Sequence, residues 1–180
     1  MDTLEKFETV WRNQINTTAE ALQLFDELEP VELEFMLGRW QGEGFHTNHP
    51  MDGLLEALNW YGKEFVDSDC VHPLLFQDSN GNIFKVDLNP AAFKLGMDVP
   101  WLQNEAIKPL FSAMTTMLKT EESKARIRMM EYRGKVSATM IYDYLPINDI
   151  FRKVDANTVL GLMDYKEISQ PFFFVLKRSK

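Results

Sequence analysis

The sequence contains a single cysteine, Cys70, among its 180 residues. An internal disulfide framework is therefore excluded, which fits a reducing compartment such as the cytoplasm. The longest uninterrupted apolar run, Phe172 to Leu176, is far shorter than the 18 or so residues of a membrane-spanning helix. Acidic residues at positions 2, 5 and 8 exclude the basic start of a secretory signal peptide. These absences predict a cytoplasmic protein with no membrane span.

Histidines are scarce as well, and the three present are His46, His49 and His72. A zinc site needs three or four converging ligands. The sequence has neither a cysteine pair nor an H-E-x-x-H motif to supplement the histidines. We therefore predict no metal site and no cofactor.

The net charge of −8 is unevenly distributed along the chain. Residues 1–37 hold 9 acidic and 2 basic residues, whereas residues 119–180 hold 8 acidic and 12 basic residues. Sequence-independent binding to nucleic acids depends on clustered Lys and Arg, so an acidic chain predicts no nucleic-acid partner. Instead, we expect the acidic N-terminal segment to dock beside an outward basic row formed by Lys124, Arg126 and Arg128.

The first 28 residues predict two helices. The first has an apolar stripe at spacings of three and four, formed by Leu4, Phe7, Trp11 and Ile15. Thr17 and Glu20 have the spacing of a capping box, so a second helix is expected to begin there and to end near Leu28. Further helices are expected over residues 51–62 and 108–118, where they would cap or cover the rest of the fold.

The remaining chain predicts about eight short strands. One is Gly38–His46, and a hairpin over residues 74–88 turns at Asn80-Gly81. Five alternating runs follow in close succession, at residues 124–132, 135–144, 147–154, 158–165 and 172–178. Consecutive hairpins of half-polar strands predict an antiparallel meander, and about eight such strands can close into a barrel around one small ligand. The predicted fold class is therefore mainly β with α, a β-barrel with N-terminal and capping helices.

The motif Gly38-Arg39-Trp40-Gln41-Gly42 resembles the bacterial GXWXG-motif domain. The resemblance covers residues 37–76 and includes Trp60-Tyr61-Gly62-Lys63. Residues 125–178 are similar to the domain of unknown function that follows this motif, with matches at Phe151-Arg152 and Met163-Asp164-Tyr165-Lys166. We expect a single domain over residues 1–180, in which a helical segment (1–28) precedes the GXWXG-motif segment (37–88), an irregular insertion (89–120) and a C-terminal β-meander (124–178). The resemblance carries no established activity.

The architecture also resembles the calycins, which include lipocalins and fatty-acid-binding proteins. Lipocalins carry a G-x-W motif on the first strand and a basic residue on the last strand over the indole. The resemblance implies that Arg178 or Lys177 covers Trp40 and closes one end of the barrel. A cation over an indole contributes about 0.5–2 kcal/mol.

Arg152 and Asp164 are the expected polar anchor of a hydrophobic pocket. Both share strand parity with apolar neighbours and are therefore expected to point into the barrel, where an isolated charge would be very costly. An inward guanidinium would bind a ligand carboxylate or phosphate, and a purely structural ion pair is the alternative. The predicted ligand-binding residues are Arg152, Asp164, Asp149, Trp40, Trp60, Tyr61, Met140 and Tyr142.

Three functions follow from these patterns. The leading hypothesis is non-catalytic binding or transport of a small hydrophobic or amphipathic ligand, such as a lipid or a fatty-acid-like molecule. The alternative is an isomerase or cyclase that uses Asp149, Arg152 and Asp164 for acid–base work on a hydrophobic substrate. Haem binding, as in nitrobindin-like barrels, ranks third because those barrels use a histidine near the end of the chain and none follows His72. The ligand, any chemistry and the formation of a homodimer stay open.

Overall fold

The computed structural model describes residues 3–13, 16–91 and 115–179. Two helices open the described chain, α1 (Thr3–Arg12) and α2 (Thr18–Glu27). The predicted capping box is present at the start of α2: the Thr17 hydroxyl accepts from the Glu20 N–H at 3.2 Å, and the Glu20 carboxylate accepts from the Thr17 N–H at 2.8 Å. Two single helical turns follow, α3 (Leu33–Met36) and α4 (Leu54–Ala57).

The described strands form one antiparallel sheet that closes on itself. They are β1 (Glu29–Pro30), β2 (Gly38–Phe45), β3 (Trp60–Phe65), β4 (Val71–Gln77), β5 (Ile83–Lys85), β6 (Ala125–Tyr132), β7 (Lys135–Tyr142), β8 (Ile147–Lys153), β9 (Thr158–Tyr165) and β10 (Ile168–Arg178). Strands β2, β3, β4, β6, β7, β8, β9 and β10 pair in chain order, and β10 pairs back with β2. The result is the predicted eight-stranded antiparallel barrel.

The predicted helix over residues 51–62 is wrong. Within it only α4 is helical, and β3 already begins at Trp60. Gly53 before α4 and Asn59 after it both have positive φ angles, 83° and 54°, so the backbone leaves the helical region on either side of a single turn. Strand β3 completes the barrel, while β5, which was expected in the meander, pairs with β4 outside the barrel. The helix expected over residues 108–118 lies largely outside the described residues.

Alternation along the strands gives the barrel wall two buried faces. The inner core fills the barrel and includes Trp40, Trp60, Phe65, Met140, Phe151 and Phe174. The outer core lies between the barrel wall and helices α1 and α2, and includes Phe7, Leu24, Phe25, Ile150, Leu162 and Phe173. Residues of both parities on β8, β9 and β10 are therefore buried.

The acidic helices do not dock on the basic row, and that prediction is wrong. Arg126 and Arg128 pair with the loop residues Asp143 and Asp69 instead. The helices pack through the apolar outer core, because burial of apolar surface contributes more than exposed ion pairs do.

Trp40 and Arg178 close one end of the barrel, as the calycin resemblance implied. The Trp40 side chain is fully buried and its Nε1 donates to the Met36 carbonyl at 2.7 Å. The Arg178 guanidinium lies 4.3 Å from the Trp40 ring centroid and donates to the carbonyls of Phe35 and Leu37. Arg178, rather than Lys177, is thus the basic residue over the indole.

In the described part of the barrel, β4 and β6 are the neighbouring strands that pair over the fewest residues. Among the described residues these strands pair at Val71 and Ala125, whereas β6 and β7 pair along their whole length. Leu75, Phe76 and Gln77 at the end of β4 pair with β5. We call this junction the β4–β6 seam. In the described part of the chain, no helix has the length and apolar composition required to cross a membrane.

Candidate functional site

A buried ion pair lies inside the barrel, between Lys63 on β3 and Asp149 on β8. The Lys63 Nζ is 2.9 Å from the Asp149 Oδ2, and the two side chains are 4% and 1% exposed. Asp149 alternates with Ile147 and Phe151, which belong to the inner core. Nζ also donates to the Pro73 carbonyl at 3.1 Å. Such pairing is what allows two charges to remain in an apolar interior.

An irregularity in β3 turns Lys63 inward. The β3–β4 register shifts on both sides of Gly62, as at a β-bulge. Strict alternation would place Trp60 and Lys63 on opposite faces, yet the bulge directs both toward the inner core. Gly62 has a φ of 147°, and a Cβ at this position would collide with the Trp40 carbonyl oxygen. Glycine is therefore required where the two backbones approach.

Three aromatic rings surround the Lys63 ammonium. Their centroids lie 5.1 Å (Phe174), 5.5 Å (Trp60) and 5.7 Å (Tyr142) from Nζ. Trp60 and Phe174 meet edge to face at 5.8 Å. Cation–π contacts of this kind stabilise a desolvated ammonium. We call Lys63, Asp149 and these three rings the inner site.

Burial sets the protonation behaviour of the inner site. Desolvation raises the pKa of Asp149, and the Lys63 charge opposes that rise. Desolvation also raises the pKa of Tyr142 well above its ordinary value, and the Asp149 charge acts in the same direction. The phenol therefore stays protonated at neutral pH and can donate a hydrogen bond, and the carboxylate is more basic than one in water.

Two buried polar atoms in the inner site, Asp149 Oδ1 and Trp60 Nε1, have no hydrogen-bond partner among the described residues. The benzene edge of Trp60 lies against Gly42, where a Cβ would overlap the ring, so Nε1 lies on the edge away from β2. Each unpartnered buried group costs about 1–3 kcal/mol. A bound molecule with an acceptor for Trp60 and a hydrogen for Asp149 would remove this cost.

A crevice at the β4–β6 seam adjoins the inner site. It has a volume of about 10 Å³, room for about one water molecule, and is lined by Pro73, Leu74, Val86, Asp87, Leu88, Lys124, Tyr142, Tyr144 and Leu145. Tyr142 belongs to both the crevice and the inner site, and Pro73 accepts from Lys63. Lys124 and Asp87, 3.0 Å apart, form an ion pair among the otherwise mainly apolar walls. We refer to this space as the seam crevice.

A larger groove of about 490 Å³ lies on the other side of Trp60. Its walls include the pair formed by His46 and Glu56, whose Nε2 and Oε1 are 3.1 Å apart. Trp60 lines the groove and also contacts Lys63. The inner site is thus flanked by two cavities of different size.

Five of the eight predicted ligand-binding residues lie in or beside the inner site. Trp60, Tyr142 and Asp149 belong to it. Met140 is the cross-strand neighbour of Asp149, and Trp40 is the cross-strand neighbour of Lys63. These residues come from β2, β3, β7 and β8, and closure of the barrel is what brings them together.

Arg152 and Asp164 do not point into the barrel, and that expectation is wrong. They do share parity with apolar residues, but those residues belong to the outer core. Arg152 is fully buried beneath α2, lies 4.8 Å from the Phe25 ring centroid and donates to the Tyr132 carbonyl at 2.9 Å. Asp164 is the cross-strand neighbour of Asn148 on the same outer side.

Tyr61, the remaining predicted residue, is not part of the inner site either. Its hydroxyl is 2.9 Å from that of Ser179. Sequence reasoning also missed Lys63 as a site residue, although the family motif contains it. The sequence does contain a hint, since Lys63 directly follows a glycine in a strand that ends in Phe65. This hint indicates an inward lysine only if the bulge at Gly62 is already known.

The described residues contain no group of three or more His, Cys, Asp or Glu side chains suited to hold a metal ion. The inner site instead offers one ammonium, one carboxylate, one phenol and one indole N–H. These groups can bind a polar atom of a small molecule or move a proton to and from it.

Two segments of the chain match known protein families. Residues 23–81 match the GXWXG protein family, and residues 123–178 match a domain of unknown function, DUF4334. The chain is also similar to a protein from Thermomonospora curvata whose crystal structure is known. The sequences are 31% identical, the match covers 100% of each chain, and the TM-score is 0.73. No curated protein matches the sequence. Lys63 lies in the first matched segment and Asp149 in the second, so neither segment alone holds the inner site.

Proposed function

The chain belongs to the family in which a GXWXG segment is followed by DUF4334, and we propose that it binds a small, neutral, mainly apolar molecule in its barrel. The observation that carries this proposal is the buried Lys63–Asp149 pair with Asp149 Oδ1 and Trp60 Nε1 unpartnered. The polar group of the ligand forms hydrogen bonds with these two atoms. Apolar walls with a few fixed polar groups are typical of small-molecule sites.

The charge balance of the inner site favours a neutral ligand. Asp149 already neutralises Lys63 at 2.9 Å, and the oxygen left unpartnered belongs to the carboxylate. An anionic ligand would meet like charge at short range in a weakly screened interior. Arg152, the anchor expected for a fatty-acid carboxylate, lies on the outer side beneath α2. The ligand class is therefore a neutral alcohol or carbonyl compound rather than a fatty-acid anion.

The size of the seam crevice limits the ligand. Its volume of about 10 Å³ is far below the roughly 300–1,000 Å³ of sites for drug-sized molecules. The ligand is therefore a small compound, and the walls of the crevice must move apart to admit it.

Binding of four probes of equal chain length tests this proposal. The probes are 1-octanol, 2-octanone, octanoate and octylamine, measured by isothermal titration calorimetry. We expect the two neutral probes to bind at least about tenfold more tightly than octanoate, which corresponds to about 1.4 kcal/mol. Arg152→Met is the matched control and should leave this preference unchanged. Tighter binding of octanoate, or loss of the preference in Arg152→Met, would refute the proposal.

Native mass spectrometry of the freshly purified protein provides an independent test. A co-purifying neutral compound of low mass supports the proposal. A co-purifying long-chain fatty acid contradicts it, because neither the seam crevice nor the charge of the inner site suits that molecule.

A further inference from the structure

We propose that Asp149 is a general base that moves a proton between two carbon atoms of a neutral, unsaturated ketone, so that the barrel is an isomerase for small apolar carbonyl compounds. This inference rests on the proposed function, since it uses the same inner site and names the substrate class and the reaction. It follows from the kinds of atoms left unpartnered around Lys63 and from the way the pair is held.

The two unpartnered atoms are those that enolisation of a ketone requires. Trp60 Nε1 is a donor without an acceptor, and Asp149 Oδ1 is an acceptor without a donor. A ketone oxygen accepts from the indole N–H, while the hydrogen on the adjacent carbon faces the carboxylate. Donors placed at an oxygen that becomes negative in the transition state are a major source of catalysis in buried sites.

Lys63 positions the base. Its ammonium holds Oδ2 at 2.9 Å and is itself fixed by the Pro73 carbonyl at 3.1 Å. The carboxylate is thereby kept ionised and oriented while Oδ1 remains without a hydrogen bond. An oxygen that is neither hydrated nor hydrogen-bonded is a stronger base, in agreement with the pKa of Asp149, which desolvation raises.

Tyr142 is the second donor available to the ketone oxygen. It lines the seam crevice, and its ring centroid lies 5.7 Å from the Lys63 Nζ, so it lies beside the ion pair. Burial keeps the phenol protonated, because it raises the pKa of Tyr142. Trp60 and Tyr142 together stabilise the negative oxygen.

The reaction is balanced without any further reactant. Asp149 Oδ1 takes a proton from the carbon between the carbonyl and the C=C double bond; the C–H electron pair becomes a new C=C bond, and the carbonyl π pair moves to oxygen. The dienolate formed is stabilised by the N–H of Trp60 and the O–H of Tyr142. Protonated Asp149 then returns the proton to the far carbon of the original double bond, the carbonyl forms again, and the product is the conjugated ketone.

The test uses oct-4-en-2-one and follows its conversion to oct-3-en-2-one by ultraviolet absorbance and by NMR. The wild-type chain should accelerate the conversion over buffer, and Asp149→Asn should lower the rate at least about hundredfold, as expected for loss of a general base. Asp164→Asn is the matched control, since it removes a carboxylate from the outer side of the adjacent strand. It should retain the wild-type rate.

Binding of 2-octanone, measured in the same samples, separates the two proposals. Binding with equal conversion rates in wild type and Asp149→Asn overturns the isomerase and leaves the binding proposal standing. Absence of binding overturns both.

If Asp149→Asn does not fold, the pH profile of the wild type decides. The rate should rise through one ionisation, above the ordinary carboxyl range, and then level off. A rate that rises with hydroxide and reaches no plateau overturns the inference.

Discussion

The Lys63 ammonium and the Asp149 carboxylate meet at 2.9 Å in the barrel interior, although 86 positions separate them in the numbering of the chain. One lies in the GXWXG segment and the other in the DUF4334 segment. The pair therefore links the two segments at the centre of one barrel. Its strength and its chemistry depend on both segments being present.

Removal of one partner of the pair should destabilise the fold strongly. Lys63→Met and Asp149→Asn each leave a buried charge without a partner, at a cost of about 3–5 kcal/mol. The double variant should cost less than the sum of the two, since it leaves neither charge. Urea unfolding at neutral pH measures all three.

The two single variants and the double variant form a double-mutant cycle. Its control is the same cycle on the surface pair of Arg126 and Asp143, which is partly exposed. Arg126→Met and Asp143→Asn should show a coupling below about 1 kcal/mol. Additive costs for Lys63 and Asp149, or an equal coupling in both cycles, would contradict the assignment of a strongly coupled interior pair.

Replacement of Gly42 by any larger residue should reduce the stability of the fold. A Cβ at this position overlaps the Trp60 ring, and overpacking a core costs about 1–3 kcal/mol. We expect Gly42→Ala to lower the free energy of unfolding by this amount, and the loss to shrink in a Trp60→Phe background. Thermal and urea unfolding provide the measurement.

Gly44→Ala is the control for Gly42. Its Cβ would meet the ends of the Glu56 and His46 side chains, which can move aside at little cost. Equal losses in the two alanine variants would show that β2 requires glycine for a reason other than contact with Trp60.

Arg178 should stabilise the closed end of the barrel more than Lys177 does. Its guanidinium lies over Trp40 and donates to two backbone carbonyls, so Arg178→Ala should cost about 2–3 kcal/mol. Arg178→Lys keeps the charge but loses the planar fork and should be intermediate. Lys177→Ala removes a partly exposed pair with Glu43 and a contact with the Trp11 ring, whose centroid lies 4.3 Å from Nζ. It should cost about 1 kcal/mol, less than Arg178→Ala, because neither contact is accompanied by hydrogen bonds to buried carbonyls. The reverse order in urea unfolding would contradict this role.

Stability should fall as the pH is lowered through the ordinary range of histidine. Desolvation lowers the pKa of His49 in the fold, although the Gln170 carbonyl and the Asp52 charge oppose this. The unfolded chain therefore takes up a proton that the folded chain does not, and the free energy of unfolding decreases toward acid pH. Burial lowers the pKa of His72 in the same way.

Urea midpoints between about pH 8 and about pH 5 measure this dependence. His49→Gln should reduce the slope and leave the part that His72 contributes. A slope that is the same with and without His49 would mean that the imidazole is protonated equally in both states.

The barrel could be predicted from the sequence because its determinants are local. The capping box at Thr17, the Asn80-Gly81 turn and the alternation beyond residue 124 each depend on residues within a few positions of one another. Even so, β3 was missed. Leu54, Leu55 and Leu58 have helical spacing, but the positive φ angles at Gly53 and Asn59 confine the helix to one turn.

The inner site could be predicted only in part. Parity groups the residues of a strand into two faces but does not say which face is inside when both are buried. Helices α1 and α2 bury the outer faces of β8 and β9, so Arg152 and Asp164 looked like interior residues. Lys63 depends on the bulge at Gly62, which forms where β3 approaches the Trp40 carbonyl. That contact exists only once β3 has paired with β2.

The most direct test of the ligand site is an NMR titration with 2-octanone that follows the indole N–H signals. Among the described residues Trp60 Nε1 has no hydrogen-bond partner, whereas Trp40 Nε1 already donates to Met36 at 2.7 Å. The chain has four tryptophans, so Trp60→Phe and Trp40→Phe are both needed to assign the two signals, and Trp40 then serves as an internal reference. We predict that the Trp60 indole signal shifts on binding, because it gains an acceptor, while the Trp40 signal stays in place. Binding that leaves the Trp60 signal unchanged would contradict a ligand site at the Lys63–Asp149 pair.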